Sequence, residues 1–429
     1  MWENNQKSNL AKNLLLAVLI VLLLIALLVA MLHVRRENAV HDAQLSEIHV
    51  QQQQEQSAAR MESVNAIQEE YEKDLQTVAD YIPGIVCWGD EITTGSSGYI
   101  NYPYVLQTYI NTYLCDIYDF RSTIENAEDF SRLKWDDYTI SIPVVNMGSG
   151  KESTYTILGR SGTVPYVVGE DFVIPAATEP VSIKLLSESG KSVTPLTGGN
   201  AGVNPVVING VEGALSIDSE SYNSYSGELS YFFTRSMPGS ETPVSAGTEI
   251  TTAAASMYRD YIHVVFIGTY GDYTTPEDLV RQTRALLSRQ AQNPDRFIVV
   301  GVYSTGGYTS SYGLDAVDSA MMQAFGNRYI NIRKYLVGDG YTDAGIRPSG
   351  EDSYYISANA VPPSFLVASG SVELNQTAQK LLGKLIFNRM DSLGYFEEIN
   401  NELKLADTTK QILKDDPDYF SRIITNTLR

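Results

Sequence analysis

Residues Ile85–Gly95 read IVCWGDEITTG. The run Ile85-Val86-Cys87-Trp88 is short, apolar and rich in strand formers, and Gly-Asp breaks it, so it reads as a buried strand ending in a turn. Tyr104 to Leu114 then places Val105, Tyr109, Ile110 and Tyr113 on one helical face. Pro143-Val144-Val145-Asn146 is the next strand, followed later by Ile262–Ile267 (IHVVFI), Phe297–Val302 (FIVVGV) and Tyr329–Ile332, with helices such as Pro276 to Gln292 between them. Near-continuous apolar strands alternating with helices predict an α/β domain whose parallel sheet is covered on both faces. In such sheets ligands meet the loops beyond the carboxyl ends of the strands.

The chain has 429 residues, enough for two or three folded units. A net charge of -20 argues against nucleic acid as a partner, because phosphate contacts need clustered Lys and Arg. Of four histidines only His263 lies in the globular part, within a strand and about 16 Å from that strand's carboxyl end, so it reads as a core residue. Cys87 and Cys115 are too few for a zinc ribbon, an iron–sulfur cluster or a disulfide scaffold, and both read as reduced, buried thiols. No cofactor is expected.

Leu14–Leu32 is uncharged and free of helix breakers, and its rise of about 28 Å matches a bilayer core. No small-residue cleavage site follows it, so residues 1–34 read as an N-terminal tail and uncleaved signal anchor. Lys7 and Lys12 on one side oppose Arg35 and Arg36 on the other. The acidic, Tyr- and Ser-rich composition beyond them assigns the globular part to the extracytoplasmic side. Residues 35–82 read as a helical stalk. It carries an apolar stripe at Val64, Ile67, Tyr71, Leu75 and Val78, and serves either a homodimeric coiled coil or a single helix leaning on the domain. Residues 157–253 hold short apolar runs separated by turns (PYVV, FVIP, VSIKLL, PVVI, LSYFFT), the signature of an inserted antiparallel β domain. The α/β domain is thus split into 83–156 and 254–396, and 397–429 read as a helical tail.

Four loop motifs carry a resemblance. GDEITTG (Gly89–Gly95) resembles the GDSLT-type opening block of the SGNH/GDSL esterases. NMGSGKEST (Asn146–Thr154) is similar to their second block and GTYGD (Gly268–Asp272) to their third. SVELN (Ser371–Asn375) leads into Gln379–Leu393 as the family's DxxH block leads into its last helix. The resemblance covers Gly84 to Phe396 apart from the insertion, and it implies a three-layer, flavodoxin-like fold. GVNPVVINGVEG (Gly202–Gly213) and FFTRSMPG (Phe232–Gly239) resemble insertions in some bacterial surface-anchored members.

The same alignment puts the family's nucleophilic serine on Glu91, its oxyanion glycine on Lys151 and its oxyanion asparagine on Tyr270. The histidine falls on Glu373, and the aspartate three residues before it on Gly370. Acyl transfer needs a serine beside a base and fixed donors for the developing oxyanion, so these replacements imply a pseudoenzyme without catalytic residues. Glu91, Lys151 and Glu373 are expected to form an ion cluster in the old pocket. Asp90 and Asp272 flank it, with no further ligand pattern to hold a metal. Tyr99, Tyr102, Tyr270, Tyr303 and Tyr308 are candidate binding residues with these two acids, since tyrosine offers an apolar face and a polar tip.

These observations together predict a membrane-anchored, non-catalytic surface protein that binds a wall glycan or a partner protein. Two alternatives stand beside it. One is hydrolysis of acyl or glycosyl bonds by the substituted carboxylates, whose separation would set the stereochemistry. The other is a structural, stalked subunit of an envelope assembly.

Overall fold

A computed structural model describes residues 2–95, 100–117, 140–222, 228–303 and 312–402. The chain divides into two units, with the boundary at Tyr71 and Glu72 inside the first helix, α1 (Trp2–Tyr81). In the first unit α1 carries the apolar stretch around Leu14–Leu32 fully exposed. It is the one helix among the described residues long and apolar enough to cross a membrane. The helix stops one residue before Ile82-Pro83-Gly84, where proline restricts the residue preceding it and removes a backbone donor.

The second unit opens on β1 (Ile85–Gly89), the one-turn helix α2 (Glu91–Thr94), α3 (Tyr102–Ile117) and β2 (Val144–Gly148). A helix α4 (Thr154–Arg160) follows before the chain enters the insertion. Its strands are β3 (Tyr166–Val168), β4 (Phe172–Ile174), β5 (Val181–Leu186), β6 (Val206–Ile208), β7 (Val211–Asp218), β8 (Ser230–Arg235), β9 (Thr242–Val244) and β10 (Glu249–Thr252). The α/β part resumes with β11 (Ile262–Phe266), α5 (Pro276–Gln290), β12 (Phe297–Val300), α6 (Tyr312–Phe325) and β13 (Tyr329–Ile330). Helices α7 (Ile332–Val337), α8 (Gly340–Ala344), α9 (Gly350–Ser357), α10 (Gln376–Ser392) and α11 (Glu397–Glu402) complete it.

The sheet is parallel, in the order β13-β12-β11-β1-β2, with β1 between partners from before and after the insertion: Trp88 pairs with Val265 on one side and Met147 on the other. Alternation splits β1 between the two faces. Val86 and Trp88 enter a core with Ile157 and Leu158 of α4, Leu279 and Leu286 of α5, and Val317 and Met321 of α6. Cys87 lies on the face toward α3, where it approaches Tyr102. On that face α3 packs along α10, with Tyr109, Tyr113, Phe387 and Phe396 in mutual ring contact. Each such buried side chain contributes roughly 1.5–3 kcal/mol of burial free energy.

The inserted β domain is a closed barrel of order β10-β3-β5-β8-β7-β6 with antiparallel pairing throughout, while β4 and β9 form a separate ribbon. The buried residues of VSIKLL and SYFFTR alternate along the strand, so one face fills the barrel: Ile183, Leu185, Tyr231 and Phe233 meet Tyr166, Val206, Ile208 and Leu215. The first barrel strand starts at Tyr166. Ile157–Arg160, read from the sequence as the start of the insertion, is the second half of α4, and it faces the α/β core because Ile157 and Leu158 bury against Trp88's cluster.

Candidate functional site

The first loop is built on a close approach. A Cβ on Gly148 would stand 2.3 Å from the backbone nitrogen of Thr94, so α2 lies directly on the end of β2. Asn146 reinforces this: its Nδ2 donates to the Thr93 carbonyl at 2.9 Å while its Oδ1 accepts from the Gly148 N–H at 2.8 Å. Asp90 caps α2, its Oδ1 accepting from the Ile92 N–H at 3.0 Å. Gln379 of α10 ties the last helix to the same turn, donating to the Ile92 carbonyl at 3.0 Å and accepting from the Tyr102 N–H at 2.9 Å.

Beyond these strand ends stand Glu91 and Tyr270, with the Tyr270 hydroxyl donating to the Glu91 carboxylate at 2.6 Å. Both are half-buried. Burial raises the Tyr270 pKa, and the hydrogen bond to Glu91 with the charges of Glu91, Asp90 and Glu373 raises it further. Burial raises the pKa of Tyr303, whose ring packs 6.1 Å from Phe266, and Asp90, Tyr270, Glu373 and Glu91 raise it further. Three motifs distant in sequence therefore meet at one edge: the turn after β1, the loop after β11 and the segment before α10.

Asp90 has no exposed surface, and burial, joined by the charges of Glu152 and Glu91, pushes its pKa up to about 8. It is therefore a neutral carboxylic acid at pH 7. Its Oδ2 has no hydrogen-bond partner, and neither does the buried Thr269 Oγ1.

Arg160 is a buried cation beside these strand ends. Its guanidinium grips the Glu152 carboxylate at 2.8, 3.0 and 3.3 Å, donates to the Ala201 carbonyl at 2.9 Å and stacks 5.6 Å over the Trp88 ring. Both side chains are sealed from solvent. This corrects the expected ion cluster. Lys151 is exposed, and among the described residues it forms no ion pair with Glu91 or Glu373. Its φ of 57° places it in the left-handed region, and the barrel occupies the loop beside it: Gly198 packs on Gly150 so closely that a Cβ would stand 1.9 Å from the Gly150 nitrogen. The barrel touches the third block too, through Lys191, whose Nζ lies 3.7 Å from Asp272 and 5.0 Å over the Tyr155 ring.

Other candidates present no free side chain to a ligand. Tyr102 is fully buried, with its hydroxyl 3.1 Å from Thr93 Oγ1, so it is a packing residue and presents no face to a ligand. Tyr303 is 4 % exposed and its hydroxyl donates to the Val372 carbonyl, which leaves no free tip either. Gly370 has a φ of 79° and an open surround. His263 is buried in β11, where its Nδ1 accepts from Trp88 Nε1 at 3.1 Å, and burial lowers its pKa to about 4. Cys87 is a buried free thiol. The candidate residues Tyr99 and Tyr308, the side chain of Cys115 and the tail beyond residue 402 lie outside the described residues. Sequence reasoning missed Arg160, Glu152 and Gln379. An arginine closing the apolar helix TYTILGR, eight residues after a glutamate, was the available signal for the first two.

Comparison with family models, with curated proteins and with solved structures finds no match to this chain.

Proposed function

We propose that this chain is a single-span membrane protein of the SGNH type, with a non-catalytic site that holds a wall glycan on the extracytoplasmic side. What supports the reading most is the Tyr270–Glu91 hydrogen bond of 2.6 Å. Where the resemblance places an attacking serine there is a carboxylate, and where it places an oxyanion donor there is a phenol that binds that carboxylate. Among the described residues no histidine serves the pair as a base, because His263 is committed to Trp88 within the sheet and burial lowers its pKa to about 4. The second-block loop, where the resemblance places an oxyanion glycine, is packed against the insertion at Gly198. Carboxylate oxygens accept from sugar hydroxyls, and a half-buried tyrosine lays its ring on the apolar face of a sugar.

The test uses the full chain in detergent. Retention on insoluble wall glycan is expected for the wild type and is expected to drop in Glu91→Gln and Tyr270→Phe. Hydrolysis of an aryl acetate, an acetylated glycan and the bare glycan is followed in parallel, with the Glu91→Ala, Glu373→Ala double variant as control. No turnover is expected. Turnover by the wild type that the double variant loses would make the carboxylates catalytic and overturn the non-catalytic reading.

A further inference from the structure

The five-stranded sheet ends in two edge strands, β2 and β13, and outward main-chain groups on such edges are a template for another strand. On β2 the Ile85 N–H donates to the Pro143 carbonyl at 2.8 Å, and the Ser149 N–H donates to the Gly89 carbonyl at 3.2 Å. Val145 and Met147 therefore face β1, while Ile142, Val144, Asn146 and Gly148 turn their main chain outward. Gln107, on α3, occupies two of these outward groups with one amide. Its Nε2 donates to the Ile142 carbonyl at 2.6 Å and its Oε1 accepts from the Val144 N–H at 2.6 Å. These are the two bonds that one residue of a parallel neighbouring strand would make. Asn111 Oδ1 accepts from the same Nε2 at 2.7 Å, and Asn146 Oδ1 takes the Gly148 N–H at 2.8 Å. The opposite edge is treated alike. There the Ile330 carbonyl faces β12, and the outward Tyr329 carbonyl accepts from Arg389 of α10 at 2.8 Å. Two helices packed along each other thus each send a side chain to one edge of the sheet.

What stays open on β2 is the Val144 carbonyl and both main-chain groups of Asn146. None of them is bonded among the described residues, and Asn146 is exposed. These groups are complementary to themselves. When a second β2 lies antiparallel about a two-fold axis at Val145, the Asn146 N–H of each copy meets the Val144 carbonyl of the other. The Val144 N–H and the Asn146 carbonyl complete the same pairs once the Gln107 amide is gone. We propose that Gln107 plugs an edge that fits a second copy of this chain, and that its amide keeps two copies from joining their sheets through β2.

The experiment is amide hydrogen exchange of the detergent-solubilised full chain over a series from about 1 to about 100 μM, the range in which open strand edges associate. The readout is protection of the Val144 and Asn146 amides, which reports pairing at this edge and no other contact between copies. Gln107→Met keeps the side chain's length and removes both amide bonds. Its Val144 and Asn146 amides are expected to gain at least about fivefold protection across the series, while those of the wild type stay independent of concentration. Gln107→Lys sets a charge on the edge and is expected to stay independent of concentration too. Gln107→Ala, which suits the helix and also lacks the amide, is expected to follow Gln107→Met and takes its place if that variant does not melt cooperatively. A cooperatively melting variant without the amide or a charge that shows no concentration-dependent protection would overturn the proposal. Concentration-dependent protection in the wild type, or equal protection in Gln107→Lys, would overturn it as well.

Discussion

Asp90→Asn removes a titration while keeping the oxygen that caps α2. In the folded chain burial holds this carboxyl protonated to about pH 8, against an ordinary value of 3.8. Between those two values the unfolded chain has released a proton that the native chain keeps, so native stability falls as pH rises. Linkage puts the slope at about 1.4 kcal/mol per pH unit, an accumulated loss on the order of 5 kcal/mol above pH 8. Asparagine has no such titration. It does place two amide donors where the acid had one, in a spot where Oδ2 already lacks a partner, at a cost of about 1–3 kcal/mol at every pH. Asp90→Asn is therefore expected to be less stable than wild type at pH 4, equal to it somewhere near pH 5 to 6, and more stable by several kcal/mol at pH 9. Thermal unfolding of the full chain in detergent, read by tryptophan fluorescence, measures this directly. At roughly 2 °C per kcal/mol the variant should melt several degrees above wild type at pH 9. Melting curves that keep a constant gap from pH 4 to pH 9, or a variant that stays below wild type throughout, would refute the reasoning.

Arg160→Met strands the sealed Glu152 charge and is expected to cost about 3–5 kcal/mol, whereas adding Glu152→Leu to it should recover most of that loss, as denaturant midpoints would report. Gly198→Ala must push the barrel loop off Gly150, and faster limited proteolysis near residues 196–202 with a lowered melting temperature is the expected result. The buried His263 stays neutral down to about pH 4 while the unfolded chain protonates it near 6.5. Its contribution is thus complete above pH 6.5 and is lost as pH falls toward 4. His263→Gln should remove that part of the acid destabilisation, seen as a shallower fall in melting temperature between pH 6.5 and 4.

Much of the fold was legible because its strands are nearly unbroken apolar runs. IVCW, IHVVF and FIVV have no polar face to expose, so a sheet covered on both sides is their only stable setting. The barrel was legible as alternation, although its closure depends on β3 meeting β10 across more than eighty residues, and no local pattern encodes that. Tyr102 extends the Val105–Tyr109–Tyr113 stripe by one turn, so the helix period already pointed it into the core, against its placement among loop tyrosines. Lys151 shows the opposite limit. A motif position carries no information about backbone handedness or about a glycine from another domain pressing on its neighbour. Arg160 was hidden for a related reason, since a buried cation is recognisable only together with the carboxylate and ring that enclose it.

The pairing of β3 with β10 brings the insertion's entrance and exit side by side, with Tyr166 opposite Ile250. For the α/β domain the whole barrel then behaves as a short tether between β2 and β11. Once its own interior has formed, the loop closed in bringing β11 alongside β1 consists of residues 149–165 and 251–261, and its chain entropy is lower than that of the full sequence separation by about 1 kcal/mol. A barrel that forms first would hasten completion of the sheet. Substitutions inside it, at Phe233 or Tyr231, would then slow the assembly of strands they never touch.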